Sequence, residues 1–298
     1  MPMPLPAGAP NLRPADVIEV FLANTSRGCS PRALAERRRV LGLFAAECDK
    51  PLADCRPLDL IAFLSAHPEW ASDWTVRRVI GAVQRPFSWA VKAGVIDRNP
   101  FFGVSHPAGA PGRPMTDHEF RRLLRNTTPP FRRVLWFLRW TGCRPGELSA
   151  MRWADLDLDQ GVIVLREHKT ARTRRDRLPR VIVLVPVVVR MLAVLWRRHG
   201  GLSRHVFLNA RGNPWKRYAL ACRIKRLRRR LRLPRDCKLY GLRHKYGTNA
   251  VVNGVDLKTL AQLMGHTTTR CTEHYVHLAG QTEHLRKAAE AAAKTRLR

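Results

Sequence analysis

The chain has 298 residues, enough for two domains with cores of their own, and its 45% hydrophobic content excludes a disordered protein. Lys and Arg number 54 against 23 Asp and Glu, a formal charge of +31 that calls for a polyanionic partner, nucleic acid first among them. No run approaches the roughly 20 apolar residues of a membrane span. The opening MPMPLPAGAP lacks the charged start of a secretory signal and reads as a loose tail over 1–13. The seven cysteines form no CxxC pair and are expected as reduced thiols of a cytoplasmic protein. The charge is uneven. Residues 1–104 hold 13 Lys/Arg against 10 Asp/Glu (+3), whereas 105–298 hold 41 against 13 (+28). A uniform compositional bias would not divide in that way, so the second part carries the expected polyanion surface.

Residues 14–104 read as a helical domain. Ser30-Pro31 is a helix start, with a polar cap and proline at the first helical position. Val76, Ile80, Val83, Phe87 and Val91 recur at helical spacing and mark one buried face, with Pro86 expected to kink that helix. Asn99-Pro100 closes the segment. SHPAGAPGRP, residues 105–114, has no apolar periodicity and is the expected linker.

A second domain is expected over 115–298. Thr116 and Glu119 have capping-box spacing, and helices are predicted near 117–126 and 131–141. Two strand-like runs follow, GVIVLR at 161–166 and RVIVLV at 180–185, joined by the basic loop HKTARTRRDRLP. A helix over 187–199 comes next. In 215–232, Leu220, Ile224, Leu227 and Leu231 form an apolar stripe, and seven Arg or Lys occupy the rest of the surface. That face suits phosphates, although a solvated basic face would look the same. Asn253-Gly254 and Gly265-His266 read as helix stops on either side of DLKTLAQLM. The predicted fold class is therefore mainly α, a helical N-terminal domain followed by a mixed α+β domain with a small antiparallel sheet.

Four places in the second domain could carry chemistry, and each is ordinary by itself. Arg144 in TGCRPGEL is presented where loop becomes helix, with Glu147 suited to the positive helix start. Lys169 is one of seven Lys/Arg from 166 to 180. Tyr240 and Arg243 share a face if helical. His266 follows a glycine, and Tyr275 stands nine residues beyond it. A surface arginine, a solvated lysine, a structural histidine and a half-buried tyrosine would account for them singly.

Their order is more specific. TGCRPGEL, WADLD, HKT, YGLRH, LMGH and HYVHL succeed one another over 115–278 and together strongly resemble the tyrosine recombinase (phage integrase) family. The family pattern is T-G-x-R-x-x-E-L, a hairpin lysine, H-x-x-R, Leu-Gly-His, and a tyrosine nine residues after that histidine. The resemblance implies a core-binding N-terminal domain, a catalytic second domain, and cleavage and rejoining of duplex DNA through a 3′-phosphotyrosine intermediate. It makes Tyr275 the nucleophile, Lys169 the general acid, Arg144 and Arg243 the phosphate-binding pair, and His266 a further hydrogen-bonding group. Arg172 and Arg174 compete with Lys169 for its place. The first position of H-x-x-R is Tyr240; a phenol, with a pKa of about 10, can donate to a phosphate oxygen but is a poor base at neutral pH. The resemblance further implies assembly on DNA as a homo-tetramer on paired sites, with the C-terminal 279–298 segment docked on a neighbouring subunit, whereas a helix packed on its own subunit or a frayed tail would account for those residues equally. No cofactor, metal, membrane or small-molecule substrate is expected, and the place of action is the cytoplasm, at the nucleoid. A type IB topoisomerase and a non-catalytic DNA-binding relative are the competing readings.

Overall fold

A computed structural model describes residues 11–25, 31–108, 112–166, 179–266, 268, 269 and 272. The chain divides into two compact units, Met1–Pro111 and Gly112–Arg298.

The first unit is built from helices α1 (Pro14–Thr25), α2 (Pro31–Glu47), α3 (Pro57–Ser65) and α4 (Asp73–Lys92). Ser72 caps α4, its side chain accepting from the Thr75 N–H at 3.2 Å. The helix continues through Pro86 to Lys92. The predicted stripe is buried at its centre, Ile80, Val83 and Phe87, and half-buried at its ends, Val76 and Val91. Phe44 is the hub of the core, with edge-on rings of Phe63 at 5.1 Å and Phe101 at 5.0 Å.

The second unit begins with α5 (Asp117–Arg125). Its capping box is closed in both directions, Glu119 N–H to Thr116 Oγ1 at 3.2 Å and Thr116 N–H to Glu119 Oε2 at 2.8 Å. Helices α6 (Pro129–Thr141) and α7 (Pro145–Ala150) follow. The sheet has strand order β1 (Leu156–Asp157), β2 (Val162–Leu165), β3 (Arg180–Val183), antiparallel throughout, with Ile163 opposite Ile182 and Leu165 opposite Arg180. Ile163, Leu165 and Ile182 point into the core, while Val181 and Val183 face outward. That alternation is the two-residue period of a half-buried strand, and it turns Arg180 inward.

Helices α8 (Pro186–His199), α9 (Arg217–Arg230), α10 (Tyr240–Val252) and α11 (Leu257–Met264) complete the described part. In α9, Leu220, Ile224 and Leu227 are buried and Lys225, Arg226 and Arg229 are exposed, so the apolar stripe packs inward and the basic face turns out. Some of its arginines are engaged locally, Arg228 donating to the Arg235 carbonyl and Arg230 to that of Asn126. Helix α10 packs on α6 and on α11, and α11 packs on β3. These three contacts bring separate stretches of sequence to one corner. Among the described residues no helix is long and apolar enough to cross a membrane.

Candidate active site

The corner is organised around the end of α11. Asp256 starts this helix by accepting from the Thr259 N–H at 2.9 Å. Gly265 ends it in the left-handed region, φ 64°, and the His266 N–H turns back to the Ala261 carbonyl at 2.8 Å. A helix end leaves its last carbonyls without intrahelical donors and carries a partial negative charge. Here four consecutive carbonyls accept from three arginines that come from three different elements. Arg180 of β3 donates to Gln262 at 3.0 Å and to Leu263. Arg243 of α10 donates to Met264 at 2.6 Å. Arg144, the residue before α7, donates to Gly265 at 3.0 Å.

Each arginine has a second anchor. Arg144 donates to Glu147 Oε1 at 2.6 Å, while the other carboxylate oxygen of Glu147 accepts from the Arg144 backbone N–H at 2.9 Å. Glu147 therefore both caps α7 and fixes the guanidinium. Arg243, only 1% exposed, reaches the Gly142 carbonyl at 2.7 Å. Gly142 terminates α6 with φ 59°, and a Cβ there would lie 2.5 Å from the Tyr246 ring. The glycine of TGCR is thus required by backbone and packing together. Arg180, 3% exposed, also donates to its neighbour's carbonyl, Val181.

His266 lies beside these charges with Nδ1 2.8 Å from Thr272 Oγ1, whose residue is fully buried. Burial lowers its pKa, and the charges of Arg243, Arg144 and Arg180 lower it further, to about 4, so the ring is neutral at pH 7. For Arg144, burial works against the charge, but Glu147 and then the Tyr240 phenol outweigh it and hold its pKa above the ordinary value. Tyr240 opens α10 and is 44% exposed, with its ring 5.4 Å from that of His244. Cys143 is the reverse of a reactive thiol, since burial first and Glu147 second push it up to about 12. Among the described residues the corner therefore holds three guanidiniums, one carboxylate and a neutral imidazole, a surplus of two positive charges.

Arg144, Tyr240, Arg243 and His266 are thus brought to one corner, and Glu147 stands where the sequence placed it, as a structural partner. Lys169, its competitors Arg172 and Arg174, and Tyr275 lie outside the described residues. Two features were invisible in the sequence. Arg180 sits in a run of basic residues with nothing to set it apart except its place at the start of an alternating strand. The row of carbonyls is backbone and has no residue signature. Among the described residues, the group whose donor atoms are close enough to hold a metal is Cys48, Cys55 and Asp59 in the first unit, but Asp59 is already taken by Lys50 Nζ at 2.8 Å and the Arg56 N–H at 2.7 Å.

The model of the phage integrase family matches residues 113–282, more than half of the chain. Tyrosine recombinase XerC of Xanthomonas axonopodis pv. citri (strain 306) is 30% identical over 237 residues, covering 76% of this chain and 74% of that protein. The chain belongs to the phage integrase family.

Two solved structures have the same fold. The Tn1549 transposon integrase, solved with a circular intermediate DNA, superposes with TM-score 0.77 at 18% identity, over 94% of this chain and 99% of that one. The lambda integrase tetramer bound to a Holliday junction gives TM-score 0.69 at 16% identity, over 87% and 78%. In this tyrosine-type site-specific recombinase the family match takes in the whole corner, from Arg144 to His266, and continues through Tyr275. The mainly helical fold with its small antiparallel sheet is that of the two integrases.

Proposed function

We propose that this recombinase cleaves and rejoins duplex DNA through a 3′-phosphotyrosine intermediate, with Tyr275 as nucleophile. The observation that carries the reading is the buried surplus of positive charge around the end of α11, where three guanidiniums share one carboxylate. A phosphodiester resists attack because it is an anion, and its pentacoordinate transition state gathers more charge on the non-bridging oxygens. Arg144 and Arg243 meet that charge as forks of donors whose planes the surrounding carbonyls have already fixed. Donors held in place before the reaction need no reorganisation during it, and this is where a large share of the rate arises.

The phenolic oxygen of Tyr275 bonds to phosphorus as its proton passes to water, the bond from phosphorus to the 5′-oxygen breaks, and Lys169 gives that oxygen a proton. The energy of the broken bond stays in the phosphotyrosine, so a 5′-hydroxyl of a second strand reverses the step and joins the DNA. Tyr240 is a hydrogen-bond donor to the phosphate in this scheme and not a base. His266 is neutral without DNA. A neutral imidazole still carries one N–H, and with Nδ1 facing the Thr272 hydroxyl the Nε2–H can donate to a phosphate oxygen.

The 14–104 region serves as the core-binding domain and 115–298 as the catalytic domain. Assembly as a tetramer on paired sites is supported by the shared fold with the lambda integrase tetramer. The reaction takes place on cytoplasmic DNA. The topoisomerase and non-catalytic readings gain nothing from the relatives, which are named recombinases and integrases. The test uses duplexes selected by binding to the full-length protein and nicked near the centre. A denaturant-stable adduct with a free 5′-hydroxyl end, and recombinant strands from paired intact sites, are expected. An adduct on the 5′ side, or relaxation of supercoils without strand exchange, would contradict the proposal.

A further inference from the structure

We infer that Arg180 is a positioning residue of this recombinase, holding the Gly265-His266 corner in register with Arg144 and Arg243 through the carbonyls that the three arginines share. The inference rests on the reading of His266, Arg144 and Arg243 as phosphate-binding groups.

Arg180 occupies an inward position of β3, 3% exposed, among residues such as Ile182 and Leu165 that fill the core. An aliphatic side chain would fit that alternation without the cost of burying a charge. Glu147 is the carboxylate of the corner, and its hydrogen bonds go to Arg144. The Arg180 guanidinium is instead matched by the negative end of α11, through the Gln262 and Leu263 carbonyls. It also lies flat against the turn that presents His266. A Cβ on Gly265 would stand 2.5 Å from Arg180 Nε and 3.0 Å from Cζ.

The division of the four carbonyls gives this contact its consequence. Arg180 takes the first two, and Arg243 and Arg144 take the next two. Without Arg180, the half-buried Leu263 carbonyl would lose its donor and the Gln262 carbonyl would keep only the Gly265 N–H at 3.0 Å, which draws in the nearest cations. Those are Arg243 and Arg144, and any turn towards Gln262 or Leu263 takes them from the phosphate. Arg180 also pairs with Leu165 at the base of the β2–β3 hairpin. This side chain therefore joins the described end of the β2–β3 pair to the helix end that presents His266.

The test compares full-length wild type with Arg180→Met and Arg180→Lys. The probe is a nicked duplex selected by binding to the wild type. DNA affinity, the rate of covalent adduct at saturating protein, thermal melting, and the pH titration of the His266 ring by 15N NMR without DNA are measured. Arg180→Met should bind DNA as the wild type does and form adduct about 10²-fold more slowly, the loss expected when reacting groups are displaced by about 1 Å. Its His266 titration should move up. Arg180→Lys keeps the charge without the fork and should fall between. A wild-type rate in Arg180→Met, an unmoved His266 titration, or full activity in Arg180→Lys would overturn the inference. If Arg180→Met does not fold, Gly265→Ala displaces the guanidinium from the other side and is judged by the same rate and titration. If the wild type forms no adduct, the phosphate-site reading fails, and the titration alone then decides whether Arg180 sets the His266 corner.

Discussion

His266 stays neutral in the free protein because burial and three nearby guanidiniums oppose its proton. Unfolded, the same ring takes up a proton near its ordinary value of 6.5. Between these limits the unfolded chain binds more protons than the folded one, so stability rises with pH. The contribution is complete above about 6.5 and is lost as the pH falls towards 4. Denaturant melts from pH 7 down to pH 4 should therefore show a smaller loss for His266→Gln than for wild type, and parallel curves would contradict the assignment. Glu147 makes a second prediction at this scale. It is 5% exposed and holds Arg144 by both side chain and backbone. Glu147→Ala leaves a half-buried cation without its carboxylate and should destabilise the protein by about 3 kcal/mol in denaturant titration. Adduct formation should fall with it, because Arg144 is then free to leave its place.

At the scale of elements, α11 ends where it does because Gly265 takes φ 64° and Arg180 covers it, and α6 ends at Gly142 because φ 59° and the Tyr246 ring exclude a side chain. The helix stops were legible from Gly265-His266 and Asn253-Gly254, and the capping box from Thr116 and Glu119, since each rests on local chemistry within four residues. The capping box gives a control. Thr116→Ala removes one cap and should cost about 1 kcal/mol, a fall in melting temperature of about 2–4 °C for a unit of this size, with an unchanged rate of adduct formation. What the sequence could not display was the use made of the end of α11. A row of carbonyls has no letter code, and an arginine turned inward on a short strand reads like its solvated neighbours. Arg144, Tyr240, Arg243 and His266 could be named beforehand because their order matched a family pattern. Nothing local marked them, and their convergence depends on α10 packing against both α6 and α11.

For the whole molecule, the charge of +31 is concentrated after residue 104, and α9 turns Lys225, Arg226 and Arg229 outward. Binding that rests on such a surface releases counterions. A protein contacting six to ten phosphates loses roughly 10³ to 10⁵ in affinity between 50 and 200 mM salt. A titration of a selected duplex across that range should give a steep log–log slope, and a flat one would remove the polyanion account. The two-part division of the chain was legible from charge and from the Pro- and Gly-rich stretch at 105–114, because composition reports on surfaces and linkers even where it is silent about sites. The central claim is the covalent step. The measurement that tests it most directly is peptide mapping by mass spectrometry of the adduct formed on a nicked, bound duplex, with Tyr275→Phe alongside. A nucleotide on Tyr275 is expected, with no adduct in Tyr275→Phe at undiminished DNA affinity. A nucleotide on any other residue, or tight binding with no adduct on any nicked site, would contradict it.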